Sequence, residues 1–120
     1  MAVTAITPEV LTRNAFDTDA LTMTAPTSAS DGFVVPFDWA DHKLLMVFWN
    51  TSADTAYDVT VKAGNALQGL GDLKAEVAAG NYALLAVESG RFKNVGGAYK
   101  GKVRVVVEDA AVKMSAVVMP

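Results

Sequence analysis

Leu44-Leu45-Met46-Val47-Phe48-Trp49 is apolar at every position, whereas Tyr57-Asp58-Val59-Thr60-Val61-Lys62, just past the loop Asn50-Thr51-Ser52-Ala53-Asp54, alternates strictly. Successive side chains of a strand point to opposite faces. The alternating segment therefore reads as a half-buried strand with Tyr57, Val59 and Val61 on one face. The unbroken run reads as a strand that is apolar on both faces. Tyr82-Ala83-Leu84-Leu85-Ala86-Val87 is a second run of the same kind. One face of each such strand belongs to the core, and the other needs a cover from the chain's own N-terminal segment or from another subunit. The outward set is either Leu45, Val47 and Trp49 or Leu44, Met46 and Phe48. At about 25 cal/mol per Å2, covering it contributes several kcal/mol per subunit before association costs.

Phe33-Val34-Val35 is stopped by Pro36, and Leu73, Ala75 and Val77 alternate with Lys74 and Glu76. Arg91-Phe92-Lys93 reads as a short strand, and Lys102 to Glu108 and Val112 to Val118 as the last two. Turn residues punctuate these runs at Ala63-Gly64-Asn65, Gly69-Leu70-Gly71-Asp72, Ala79-Gly80-Asn81 and Asn94 to Gly101. Short strands with such spacing predict an all-β fold, a single antiparallel β-sandwich or barrel-like domain of about 8–9 strands. Helical periodicity does not persist over a window of about 11 residues. Only Thr7 to Arg13, where Pro8 suits a first helical position, and Asn65 to Gln68 are candidates for a helical turn.

Residues 1–32 differ from the rest, with seven Thr, six Ala, Pro8, Pro26 and no Gly before Gly32. This stretch reads as an extended N-terminal arm, and 33–120 as the sandwich domain. Within the arm, Leu21, Met23 and Ala25 alternate with Thr22 and Thr24 as a short strand that Pro26 ends or confines to an edge. Ala2-Val3-Thr4-Ala5-Ile6 suits addition as a strand to an exposed edge in a neighbour.

The 120 residues, 52% apolar and with net charge -3, fit one domain with a sizeable core. No cysteine is present, so packing holds the fold and an intracellular maker is favoured. Met1-Ala2-Val3-Thr4 lacks a basic region followed by a long apolar stretch, so a secretory signal is not expected. No apolar run approaches the ~20 residues of a bilayer-spanning helix, and no membrane partner is expected. Residues 1–61 carry a charge of -6 and residues 62–120 a charge of +3. Such a polarity orients subunits if the halves lie at different ends, and is a solvated surface if they interleave.

Motifs of catalysis fail on context. Gly96-Gly97-Ala98-Tyr99-Lys100-Gly101-Lys102 fits G-x-x-x-x-G-K, but Val103 replaces the required Ser or Thr and a strand follows in place of a helix. Asp38, Asp41 and His42 hold possible metal ligands, yet they lie in a loop and no second His exists. His42 is also the sole candidate imidazole base, without a G-x-S-x-G nucleophile. The pairs Glu108-Asp109 and Asp17-x-Asp19 have no evident cleft. Asn50-Thr51-Ser52 matches a glycan acceptor but is accounted for by loop chemistry. The chain is read as a non-enzyme with no cofactor and no metal.

Two binding alternatives stay open. A carbohydrate- or surface-binding sandwich would use Trp39, Trp49 or Tyr99 as a stacking platform, with Trp39 expected outside and Trp49 in the core. A single-strand nucleic-acid binder would use Arg91-Phe92-Lys93, Tyr99-Lys100, Lys102 and Arg104 as a basic strip with aromatics. The acidic total, with seven Lys and three Arg for the whole surface, disfavours a nucleic-acid partner.

Val59-Thr60-Val61-Lys62-Ala63-Gly64-Asn65 and Glu88-Ser89-Gly90-Arg91-Phe92-Lys93-Asn94, in a β body behind a Thr/Ala-rich arm and closed by Val-Val-Met-Pro, give a chain that resembles small structural proteins of tailed-phage virions. Capsid decoration proteins and sandwich domains of tail components are the nearest in style. The resemblance implies a virion protein, assembled in the host cytoplasm, that binds the outer capsid surface and stabilises the shell through subunit contacts and its arm. The implied partners are copies of itself, with a trimer favoured, and the major capsid protein or another virion protein. The contact residues selected on this reading are Val3, Ile6, Leu11, Phe16, Leu21 and Met23 in the arm, with Trp39, Arg91, Lys93 and Tyr99 in the body.

Overall fold

The computed structural model describes residues 2–18, 21–67 and 69–120. Among the described residues, nine strands form two sheets packed as a sandwich, with no closed barrel. The first sheet has the order β1-β3-β8-β5-β6, from Thr4–Ala5 (β1), Phe33–Pro36 (β3), Lys102–Val107 (β8), Tyr57–Val61 (β5) and Leu73–Val77 (β6). The second has the order β2-β9-β4-β7, from Glu9–Val10 (β2), Val112–Val118 (β9), Leu44–Asn50 (β4) and Tyr82–Leu85 (β7). Both sheets are mixed. The long pairs are antiparallel, but β1 runs parallel to β3 and β2 parallel to β9.

Core positions follow the pleat. Phe33, Val35, Val59, Val61, Val103 and Val105 line the inner face of the first sheet, and Leu44, Met46, Phe48, Val112, Met114 and Val118 that of the second. The register sets Met46 beside Ala116 and Phe48 beside Met114, so large residues on one strand meet smaller or flexible ones on the next. Val47 pairs with Leu84 and Trp49 with Tyr82 on the opposite face. The outward set is therefore Leu45, Val47 and Trp49.

The N-terminal segment straps one lateral side of the sandwich. Its β1 edges one sheet and its β2 edges the other, with Ile6 in the core and Pro8 buried at the crossing between them. The strand addition expected of Ala2 to Ile6 in a neighbour is made instead to the chain's own β3, where Ile6 donates its N–H to Val34 at 2.9 Å. A bridge between Thr24 and Met114 returns the segment to β9, and this replaces the strand expected over Leu21 to Ala25. Gly32, at a φ of 63°, closes the strap by accepting from the Thr4 N–H and donating to Ser28.

Two local expectations are corrected. Glu9–Val10 is strand where a helical turn is expected, because pairing with β9 outweighs the tolerance of Pro8 for a helix start. Ser89–Phe92 is a single helical turn (α1) where a strand is expected at Arg91 to Lys93; it drives Phe92 into the core, and one turn leaves no periodicity to read. Asn65 to Leu67 is a bend and turn without helix, and Gln68 lies outside the described residues. Each half of the chain supplies strands to both sheets, and Lys74 pairs with Asp58 at 3.2 Å, so the charge halves interleave in space.

Candidate functional site

The outer face of the second sheet carries the most developed apolar surface. Leu45, Val47 and Trp49 of β4 lie between Val117 of β9 and Tyr82 and Leu84 of β7. Leu11 and Leu21 of the N-terminal segment form the far wall of a groove of about 620 Å3 whose lining is side-chain carbon almost throughout. Strap and sheet bury Val47 and Val117, while Tyr82 stays 58% exposed and Leu84 65% exposed. The N-terminal segment thus covers half of the outer face and leaves the β7 half open.

Trp49 is a correction to its expected place in the core. It sits on this outer face, stacked on Tyr82 with ring centroids 5.4 Å apart and planes 9° apart, and Lys113 lies 5.9 Å above its ring. Trp39, expected outside, packs half-buried against the core. Both cross-strand neighbours of Trp49 are aromatic or cationic, an arrangement that gains from ring stacking and cation–π attraction.

A second apolar recess lies on the lateral side opposite the strap. The strands β6 and β7 are the free edges of the two sheets there, and between them opens a slot of about 200 Å3. Its lining includes Ala75 and Ala83, whose small side chains leave the space that larger residues would fill, and Leu84, which also borders the groove. The two open edges differ in chemistry. Lys74 and Glu76 guard β6, and charged side chains on an edge strand oppose pairing with another chain. The β7 edge, Tyr82 to Leu85 and on to Val87, carries no charge, no proline and no glycine.

The residues selected from sequence fall in several places. Leu11 and Leu21 line the groove, and Phe16, 99% exposed, projects from the loop between them. Ile6 is a core residue, Val3 is half-buried beside β1, and Met23 is half-buried next to the Thr24 bridge. Arg91, Lys93 and Tyr99 sit apart from the groove, on α1 and the segment that leads into β8. Their aromatic neighbours are already engaged: Arg104 lies 4.6 Å over the Tyr99 ring and donates to the Asp31 carbonyl, Arg91 lies 4.8 Å over buried Phe92, and Lys93 lies 6.0 Å from Phe37. Tyr82 and Leu84 are the site residues that sequence reasoning missed, although the apolar run that contains them was the signal.

The candidate chemical groups are dispersed or structural. His42 is exposed on a 3-10 turn, and the Asp41 carboxylate accepts from the Ser89 N–H at 3.1 Å. Among the described residues no three of His, Cys, Asp and Glu gather as a metal site; Asp19 of the Asp17-x-Asp19 pair lies outside them. No helix among the described residues is long and apolar enough to cross a membrane. Gly96 to Gly101 forms a loop, and it is fastened by the Gly101 N–H to the Asn94 carbonyl and by the Asn94 N–H to the carbonyl of Lys102, where β8 begins. Asn50 of the glycan-like triplet is buried with its side chain hydrogen-bonded. The Ala63 N–H and then the Lys62 ammonium, 3.0 Å away, hold the Asp72 carboxyl below its ordinary range, which fastens the loop before β6.

Fold and surface together define a two-layer β-sandwich, strapped on one side by its N-terminal segment and apolar on one outer face. No family model, no curated protein and no solved structure matches this chain.

Proposed function

We propose that this chain is a non-enzymatic structural subunit of an assembled particle, a virion protein of the capsid-decorating type that docks on the outer shell and stabilises it by contact. The observation that carries the reading is the outer face of the second sheet, where Tyr82 and Leu84 stay exposed beside a carbon-lined groove. Contiguous exposed apolar surface of this kind marks interaction sites. Burying it against a shell protein gains free energy without any catalytic group, and repetition over many copies multiplies the effect. In this reading the N-terminal segment contributes through Leu11, Leu21 and the projecting Phe16, while its two short strands belong to the subunit's own fold.

The test is co-sedimentation of the purified chain with capsid shells from the virus that encodes it, beside a variant carrying Leu21→Asp and Phe16→Ser. The expected outcome is saturable binding by the unmodified chain, a higher disruption temperature for the decorated shell, and loss of both in the variant. Absence of the chain from purified virions would overturn the reading.

A further inference from the structure

We infer that the open edge of β7 pairs antiparallel with β7 of a second copy, joining the two four-stranded sheets into one continuous sheet across a two-fold axis. The inference rests on the reading of this face as a contact surface and goes beyond it by naming the occupant. The strand β7 ends its sheet, and no strand among the described residues pairs its other edge. An exposed strand edge is a template for another chain, and native edges are commonly blunted by charge, proline or a bulge. The β6 edge is blunted by Lys74 and Glu76, whereas Tyr82-Ala83-Leu84-Leu85-Ala86-Val87 has no such guard.

The second copy is favoured because this edge is complementary to itself. Tyr82, Leu84 and Ala86 are the exposed members of the run, and Ala83, Leu85 and Val87 turn inward. With the two-fold axis at Leu84, that residue faces the partner's Leu84, and Tyr82 faces the partner's Ala86, a large side chain against a small one. A two-fold contact uses the same patch on both subunits, so this match occurs twice. Stable interfaces bury at least about 1,000 Å2, more than the edge of a four-residue strand supplies by itself. The remainder is at hand, because Leu84 borders both the groove on the outer face and the slot between the sheets. Pairing covers the slot and sets the two grooves side by side as one extended docking surface.

The experiment is sedimentation equilibrium of the full chain over the micromolar range, with hydrogen exchange read at β7. Two single variants accompany it: Leu84→Lys, which places a charge on the edge, and Val10→Lys, which replaces an exposed apolar side chain on β2, at the opposite edge of the same sheet. The expected result is a concentration-dependent species of twice the chain mass, with β7 amides slowing as it forms. Leu84→Lys is expected to weaken it at least 100-fold and Val10→Lys to leave it within about twofold, both variants keeping the monomer's unfolding midpoint. A monomer at all concentrations, a trimer, or equal loss in both variants would overturn the pairing. A monomer that still binds shells overturns the pairing alone; a β7-paired dimer that ignores shells overturns the docking function alone.

Discussion

The side-chain amide of Asn50 donates to the Val77 carbonyl at 2.9 Å and so ties the end of β4 in one sheet to the end of β6 in the other. The same amide donates to the Thr55 carbonyl at 2.8 Å, and its oxygen accepts from the Ser52 N–H at 3.0 Å. Asn50 is 0% exposed and its bond to Val77 is buried, so water cannot replace the groups that this amide loses when its partners are removed. Asn50→Ala is expected to lower stability by about 1–3 kcal/mol, read as a shift of the urea midpoint at unchanged slope. An unchanged midpoint would remove this clamp from the account of how the sheets are joined.

Ile6 tests whether the N-terminal segment belongs to the fold. It packs in the core between the two short strands of the strap, so Ile6→Ala is expected to cost about 2–4 kcal/mol by denaturant titration, the range for a buried aliphatic truncation. A chain lacking residues 1–11 uncovers the edges of β3 and β9 and is expected to aggregate on light scattering. A soluble, fully stable truncated chain would show that the strap is dispensable.

Gly32 tests the strap's closure. Its φ is 63°, and a Cβ placed there overlaps the backbone of Val105 and Val106 in β8. Gly32→Ala therefore combines a left-handed strain with a backbone collision that no rotamer relieves. A loss of about 2–4 kcal/mol is expected in thermal unfolding.

Filling the slot acts in the other direction. Ala83 faces an unfilled space of about 200 Å3, and a β-branched residue suits its strand backbone. Ala83→Val is expected to raise stability by about 0.5–1 kcal/mol, measured as a higher melting temperature.

Asp72 sets a pH dependence whose sign follows from its hydrogen bonds. The Ala63 N–H and Lys62 favour the carboxylate in the folded state, so its pKa lies below the unfolded value of about 3.9. The stabilisation is complete above that value and is lost as pH falls through the lower folded pKa. The pair is largely solvated, so Asp72→Ala is expected to cost at most about 1 kcal/mol at neutral pH. The difference from the unmodified chain closes on strong acidification, as read by parallel urea titrations. A gap that persists unchanged in acid would assign the effect to packing.

Much of the fold was legible along the chain. Tyr57 to Val61 and Leu73 to Val77 announce themselves by alternation, and Val112 to Val118 is strand over the bounds expected from the sequence. The elements misread are those whose conformation comes from distant partners. Glu9–Val10 becomes strand through β9, and Ser89–Phe92 turns helical as Phe92 enters the core. The groove was legible only as surplus: the run at Leu44 to Trp49 shows that one face must look outward, and nothing in its own residues says which.

Side-chain alternation is a local property of an extended chain, and it is enough to specify a strand-built, cysteine-free sandwich or barrel with more apolar strand surface than one interior face requires. That Leu45, Val47 and Trp49 look outward, that the N-terminal segment straps its own body, and that β7 rather than β6 is the unguarded edge are settled in the folded molecule. Those depend on register and on which strand ends which sheet. A slip of one residue reverses every side chain, and that choice is made by contacts between residues far apart in the chain.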